Sequence, residues 1–225
     1  MPRRKVDPAY EIAKVLAKLG KASFGDILKK TGLAEPTIAR HLKHMEAKKL
    51  ILSEQDPKDK RKYLYWLNPN ELAVITVDEA IEAIKEELKA VGEELKPEEE
   101  QALRDALTNH ARPIILLWLK EGVIKDEKST EVIFNIIATA DGLKQQIDVF
   151  KSLSKLANFG NLMKKEASKV FTNKFITENV KLYIDLAESL PESFIIKWRK
   201  TKAYTKSPIT QLINAMNLIM KFIKT

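Results

Sequence analysis

The chain has no cysteine, no glycine-rich loop and no apolar run approaching the thickness of a bilayer, and each absence removes a class of function. Without cysteine there is no disulfide, no thiol nucleophile and no thiolate metal site. The most apolar run, IILLWL at 114–119, is far short of the roughly 20 residues that a membrane helix needs. The seven glycines are scattered, so no phosphate-cradling loop can be read. The three histidines, His41, His44 and His110, do not fall into an H-E-x-x-H or other metal-ligand spacing. Carboxylates such as Asp141, Asp148 and Asp185 stand singly at helical spacings, as solvated residues do, and not as a catalytic dyad. The basic opening MPRRKVDPAYEIAKVLAKLG is interrupted by Glu11, Lys14 and Lys18 and reads as no secretion signal. These gaps predict a cytoplasmic protein that is not an enzyme and takes no cofactor, metal or membrane partner.

What the chain does have is charge. Its 225 residues are 44% hydrophobic, enough for a packed core, and carry a net charge of +8, with a pI near 9.4. A basic balance favours anionic partners. The charge is laid out in three blocks. Residues 1–75 hold 16 Lys+Arg against 9 Asp+Glu, residues 76–110 hold 4 against 11, and residues 111–225 hold 19 against 11. Two basic blocks therefore flank an acidic one. Abundant Lys and Glu without cysteine also hint at a thermophile.

The first basic block has clear punctuation. Asp7 before Pro8 is an N-cap followed by a first-turn proline, opening a helix that ends before Gly20. Ile12, Val15, Leu16 and Leu19 recur on its one apolar face. A shorter helix capped by Ser23 and stopped by Gly32 follows, with Ile27 and Leu28 as its core contacts. Pro36 then starts a third helix, in which Ile38, Leu42 and Met45 form the buried stripe. At about 100° per residue, the opposite face carries Pro36, Arg40, Lys43 and Ala47, with Thr37, His44 and Lys48 on its edge. His41 falls at the margin of the core. Residues 50–53 and 63–67 are β-prone and are separated by the turn-forming, basic DPKDKRK, which predicts a hairpin with a cationic tip.

Three short helices followed by such a hairpin have the order of a winged helix-turn-helix. TGLAEPTIARHLKHMEAKKLI together with SEQDPKDKRKYLYWL resembles the MarR/ArsR class of transcriptional regulators over residues 8–70. Two positions depart from that pattern. Ala34 stands where a Ser or Thr cap is usual, a loss of about 1 kcal/mol. Lys49 stands where a glycine commonly ends the helix, which would strain a positive φ.

A major groove about 12 Å wide admits one helix and presents distinguishable base edges. Thr37 and Arg40 sit where side chains could reach those edges, and Pro36 offers an apolar surface to a thymine methyl. Lys43 and His44 lie further along and suit phosphates. The resemblance implies that Lys58, Lys60, Arg61 and Lys62 of the wing touch the backbone or the minor groove. A basic helix face is, in isolation, more often simply solvated, and some winged helices dock only onto protein. The same two readings apply to Arg3, Arg4 and Lys5, either a minor-groove arm or a frayed terminus.

From Val74 the apolar positions Val74, Val77, Ile81, Ile84, Leu88, Val91 and Leu95 alternate in steps of three and four, a heptad seam. Thr76 is a plausible cap. The seam is either a dimerising coiled coil, through Val77, Ile81, Ile84, Leu88 and Val91, or one amphipathic helix packed on its own chain. Glu82, Glu86, Glu87, Glu93 and Glu94 make the outer face, read as solvated. Beyond Pro97, with Pro113 dividing the pattern, helices are predicted at about 130–158, 161–172, 174–189, 191–203 and 208–223. KWRKTKAYTK at 197–206 is either a second nucleic-acid contact that stacks Trp198 and Tyr204, or a core tryptophan beside a solvated basic helix end.

The expected architecture is mainly α. It has a winged helix-turn-helix at 1–70, an acidic linker or dimerisation helix at 71–96, and an all-helical bundle at 97–225. The expected function is sequence-specific binding of double-stranded DNA by a homodimer, with a small-molecule or protein effector acting at the C-terminal helices. The alternatives are non-specific architectural or partition binding, or docking onto protein.

Overall fold

The computed structural model describes residues 7–124, 128–154, 174–207 and 210–211. Two compact units are present, one of residues 1–82 with 107–132, the other of residues 83–106 with 133–225. Neither is contiguous in sequence, unlike the expected domains 1–70, 71–96 and 97–225. The residues after 107 return to the first unit because a helix there packs on the first helix of the chain.

The first unit opens with α1 (Pro8–Leu19), whose N-cap Asp7 accepts the Ala9 N–H, and whose end is turned by Gly20 at φ 77°. Tyr10, Ile12, Ala13, Val15 and Leu16 are buried, whereas Leu19, expected on the same face, is 46% exposed. It lies in the last turn, beyond the reach of the core. A two-residue strand β1 (Ala22–Ser23) follows. It then passes into α2 (Phe24–Thr31), where Ser23 and Asp26 form a reciprocal capping box and Gly32 closes the helix in the left-handed region. Helix α3 (Glu35–Ala47) begins at Ala34, which makes no side-chain cap, as its methyl group requires. Strands β2 (Ile51–Gln55) and β3 (Tyr63–Leu67) pair antiparallel from Ile51↔Leu67 to Gln55↔Tyr63. Strand β1 adds to the far side of β3, giving the order β1-β3-β2. Two residues without alternation leave no trace in sequence, so β1 was not predictable.

Helix α4 (Val77–Lys89) starts at Thr76, which exchanges hydrogen bonds with Glu79 in a second capping box. The expected seam is shorter than its sequence pattern. Val91 lies in a turn beyond the last helical residue, and Gly92 takes φ 74°. Val77, Ile81, Ile84 and Leu88 are buried within the single chain. A surface already covered by the chain's own atoms cannot be covered again by a partner helix, so these residues are core and not zipper.

Helix α5 (Pro97–Ala106) runs into a π-helical turn at Leu107–Ala111, and α6 (Arg112–Glu121) starts immediately after it. Pro113 cannot donate to the ladder and crowds the carbonyl four residues back, so the division falls where the proline demands it.

The second unit contains α7 (Ser129–Ser154, from residue 133 on), α8 (Lys174–Ser189), α9 (Glu192–Trp198) and α10 (Lys202–Lys206). The helix expected at 191–203 is thus two pieces, parted at Thr201, which caps the second through the Tyr204 N–H. The helices expected at 161–172 and 208–223 lie outside, or almost wholly outside, the described residues, as do Arg3, Arg4 and Lys5. Trp198 is fully buried between Phe134 and Phe194, with ring centroids 5.2 and 5.8 Å away.

Polar pairs stitch this unit. Glu99 is buried and accepts from Lys197 Nζ at 2.7 Å and from Ser193 Oγ at 2.6 Å. Burial pushes its carboxyl up, but these hydrogen bonds and that of the Lys96 N–H outweigh it and hold the group at about 2. A depressed folded value means that the ionised pair stabilises the protein above about pH 4.5 and that this contribution is lost as pH falls toward 2. The shift corresponds to at most about 3 kcal/mol. Acid titration followed by circular dichroism should therefore show Glu99→Gln flattening the stability loss between pH 4.5 and 2. An unchanged acid profile would remove Glu99 from that role.

Candidate nucleic-acid interface

Helix α3 divides cleanly into two faces. Ile38, Leu42 and Met45 are buried, while Pro36, Arg40, Lys43, His44 and Ala47 are exposed, and Thr37 and His41 are half-buried. The 100° step separates these groups by about half a turn, so the packing that holds the helix leaves its donor-bearing side open. Arg40 and Lys43 have no ion-pair partner among the described residues. Lys48, by contrast, pairs with Glu79 at 2.6 Å and belongs to the scaffold. Ser53 of β2 donates to Glu46, tying the first wing strand to the flank of α3.

The wing tip is shaped by its acids. Asp56 accepts the Lys58 N–H at 2.8 Å, and Asp59 accepts the Arg61 N–H at 3.2 Å, so each aspartate folds the backbone two residues ahead. The Asp56 N–H to Lys62 carbonyl bond, at 2.9 Å, closes the loop. The result projects Lys58, Lys60, Arg61 and Lys62 into solvent. Arg61, 91% exposed, is aimed by the contact of its Nε with Asp59. That contact and the Arg61 backbone and Lys62 bonds hold the Asp59 carboxyl below its ordinary range. The two aspartates lower the net charge of the tip, but the sequence pattern alone does not reveal that they build it.

Three helices with a buried stripe, an open cationic third helix and a basic antiparallel hairpin define the module. Residues 8–63 match the model of the MarR family. The amino-terminal module is a MarR-like winged helix. A solved structure of Bordetella bronchiseptica BpsR, described by its regulation of DNA binding by 6-hydroxynicotinic acid, is similar at 22% identity over 55% of this chain and 83% of its own, with a TM-score of 0.27. None of the curated proteins matches the chain. Among the described residues no helix is long and apolar enough to cross a membrane.

The MarR-like module contains scaffold residues that periodicity does not mark. Asn68, just after β3, is buried and donates to the Lys49 carbonyl at 2.8 Å. Lys49 itself takes φ 58°, the left-handed value that its place at the end of α3 demands. Arg112 reaches from α6 to the carbonyls of Glu71 and Asn68, at 3.0 and 3.4 Å. The Asn68 contact spans 19 residues of sequence and those of Arg112 span 41 and 44, and no local pattern encodes them.

Of the two readings of 197–206, the rings follow the core one. Trp198 and Tyr204 are buried, and three of the segment's five cations are paired, Lys197 to Glu99, Arg199 to Asp141 at 2.7 Å, and Lys200 to Glu93 at 2.6 Å, while Lys202 and Lys206 are exposed. Neither ring is open for a base to stack on. Part of the acidic face expected to be solvated turns inward for the same reason, since the Glu87 carboxylate accepts the Ala203 N–H and Glu93 pairs with Lys200.

Proposed function

We propose that this protein is a homodimeric, sequence-specific regulator of transcription that binds double-stranded DNA. The α3 segment 35–48 lies in the major groove, and the wing 56–62 on the backbone or the minor groove. The observation that carries the reading is the open face of α3, where Arg40 and Lys43 stand exposed without acidic partners. Arg40 grips a base edge, guanine for preference, through two parallel hydrogen bonds, while Thr37 and Pro36 add shorter contacts. Lys43, His44, Lys58, Lys60, Arg61 and Lys62 neutralise phosphates. A two-fold dimer places its recognition helices about 34 Å apart and reads a palindrome. Its interface uses residues other than the buried α4 seam. A small-molecule or protein effector acting through the C-terminal helices sets how long the operator is occupied.

Non-specific architectural binding draws its support from the basic balance of residues 111–225, and the paired Lys197, Arg199 and Lys200 and the buried rings of 197–206 favour the specific reading over it. Selection of bound duplexes from a random pool decides between the readings. A specific regulator prefers its site over random DNA by roughly 10³–10⁷. Arg40→Ala should cost about 1–3 kcal/mol at the selected site and relax the preference at one base pair. Equal weakening on every sequence would reassign Arg40 to phosphate. Neutralising Lys60 and Arg61 together should reduce the slope of log K against log salt by about one to two. An unchanged slope would take the wing out of the interface.

A further inference from the structure

The recognition helix ends in an unusual way. The Leu50 N–H reaches the Met45 carbonyl at 2.8 Å and the Lys49 N–H reaches that of Glu46 at 2.9 Å, the paired bonds of a Schellman turn. Such a turn needs a left-handed residue, ordinarily glycine, and here Lys49 occupies it at φ 58°. A residue with a Cβ holds that conformation only where its surroundings impose it. Asn68 imposes it. Its side-chain amide donates to the Lys49 carbonyl at 2.8 Å, and its backbone N–H donates to the Leu50 carbonyl at 2.9 Å, so one residue brackets both peptides of the hinge.

Asn68 is in turn fixed from α6. The Arg112 guanidinium grips the 68–71 turn through the Asn68 and Glu71 carbonyls, while the Asn68 Oδ1 accepts the Asn70 N–H at 3.0 Å. We propose that Asn68 and Arg112 are positioning residues for DNA recognition: Arg112 fixes Asn68, and Asn68 fixes the left-handed hinge from which α3 departs.

The leverage is geometric. Arg40 lies nine residues before the hinge, about 14 Å along the helix axis. A tilt of about 10° at the hinge moves the base-reading end by about 2 Å, well outside the roughly 0.5 Å spread of a good hydrogen bond. Helix α6, remote in sequence from the winged helix, thereby sets the aim of the recognition helix without approaching DNA. This inference rests on the DNA-binding reading above, and its test separates the two.

The full chain is measured with a duplex selected from random sequence, at a temperature where circular dichroism shows each variant folded. Asn68→Ala and Arg112→Lys should each weaken binding roughly 2- to 30-fold. Both should leave the salt slope unchanged, because no phosphate contact is lost. The double variant should bind no worse than the weaker single one, since both act through one hinge. Hydrogen exchange at the Leu50 amide should accelerate in both variants without DNA. If Asn68→Ala does not fold, Arg112→Lys with the Leu50 exchange rate decides. Folded variants with wild-type affinity, or with a wild-type Leu50 exchange rate, would overturn the proposal. Wild-type binding that ignores Arg40→Ala would instead overturn the regulator reading, and the exchange rates would still report on the hinge.

Discussion

Leu88→Glu is expected to unfold the second unit and not to release folded monomers from a dimer. Leu88 is completely buried within one chain, as is Ile84 one turn earlier. Exchanging it forfeits about 1.5–3 kcal/mol of apolar burial. It also places a carboxylate in a site with no partner, which costs several kcal/mol more unless the group protonates or the helix lets go. A typical domain has only about 5–15 kcal/mol to lose. Circular dichroism should show the cooperative thermal transition of that unit lost or sharply lowered, and sedimentation should show aggregation. The milder Leu88→Ala should cost about 2–5 kcal/mol with no change in oligomeric state. A well-folded monomer arising from a wild-type dimer would restore α4 as a zipper.

The ambiguity at α4 is instructive about what periodicity can say. Steps of three and four identify an apolar face and are silent about what covers it. The same rule worked for α3, where Ile38, Leu42 and Met45 are buried and the opposite side is open, because there only one side is apolar and the other carries donors. Caps were the most legible features: Asp7, Ser23 and Thr76 each make the bond that their side chain suggests. These are local signals, complete within four residues. The left-handed Lys49 could be located from the helix end alone, but not its remedy, since Asn68 and Arg112 come from elsewhere in the chain.

Charged residues were harder to place for a related reason. A carboxylate at a helical spacing looks the same whether it faces water or a buried guanidinium. Asp141 reads as an isolated acid in ATADGLK, yet it is only 3% exposed. Its neighbours Ala140 and Gly142, small enough to admit another segment, were the one available sign. The basic run 197–206 was ambiguous in the same way until Glu93, Glu99 and Asp141 took up three of its five cations. A net charge therefore overstates the surface available to an anionic partner. The open cations of α3 and the wing, not the chain total, are the relevant quantity.

Asp141→Ala puts that distinction to a direct test. The carboxylate accepts from Arg199 through Nε at 2.9 Å and Nη2 at 2.7 Å, and its Oδ2 also accepts from the Tyr204 hydroxyl at 2.7 Å. Burial pushes the Tyr204 phenol up first, and the adjoining Asp141 charge adds to it, so the tyrosine stays neutral and serves as a donor. Removing one member of a buried ion pair costs about 3–5 kcal/mol. The guanidinium is partly exposed and can turn to water, while the buried Tyr204 hydroxyl keeps the Gln145 amide as a donor, so the loss should sit near the lower figure. Arg199→Ala should cost at least as much, because it strands a buried carboxylate that keeps only neutral donors, the Tyr204 hydroxyl and the Gln145 amide. Urea denaturation should show both losses at an unchanged dependence on denaturant, and the folded variants should keep the wild-type salt slope on DNA. A flattened slope in Arg199→Ala with little loss of stability would reinstate this segment as a contact to phosphate, and would place the buried Asp141 in competition with DNA for the same guanidinium.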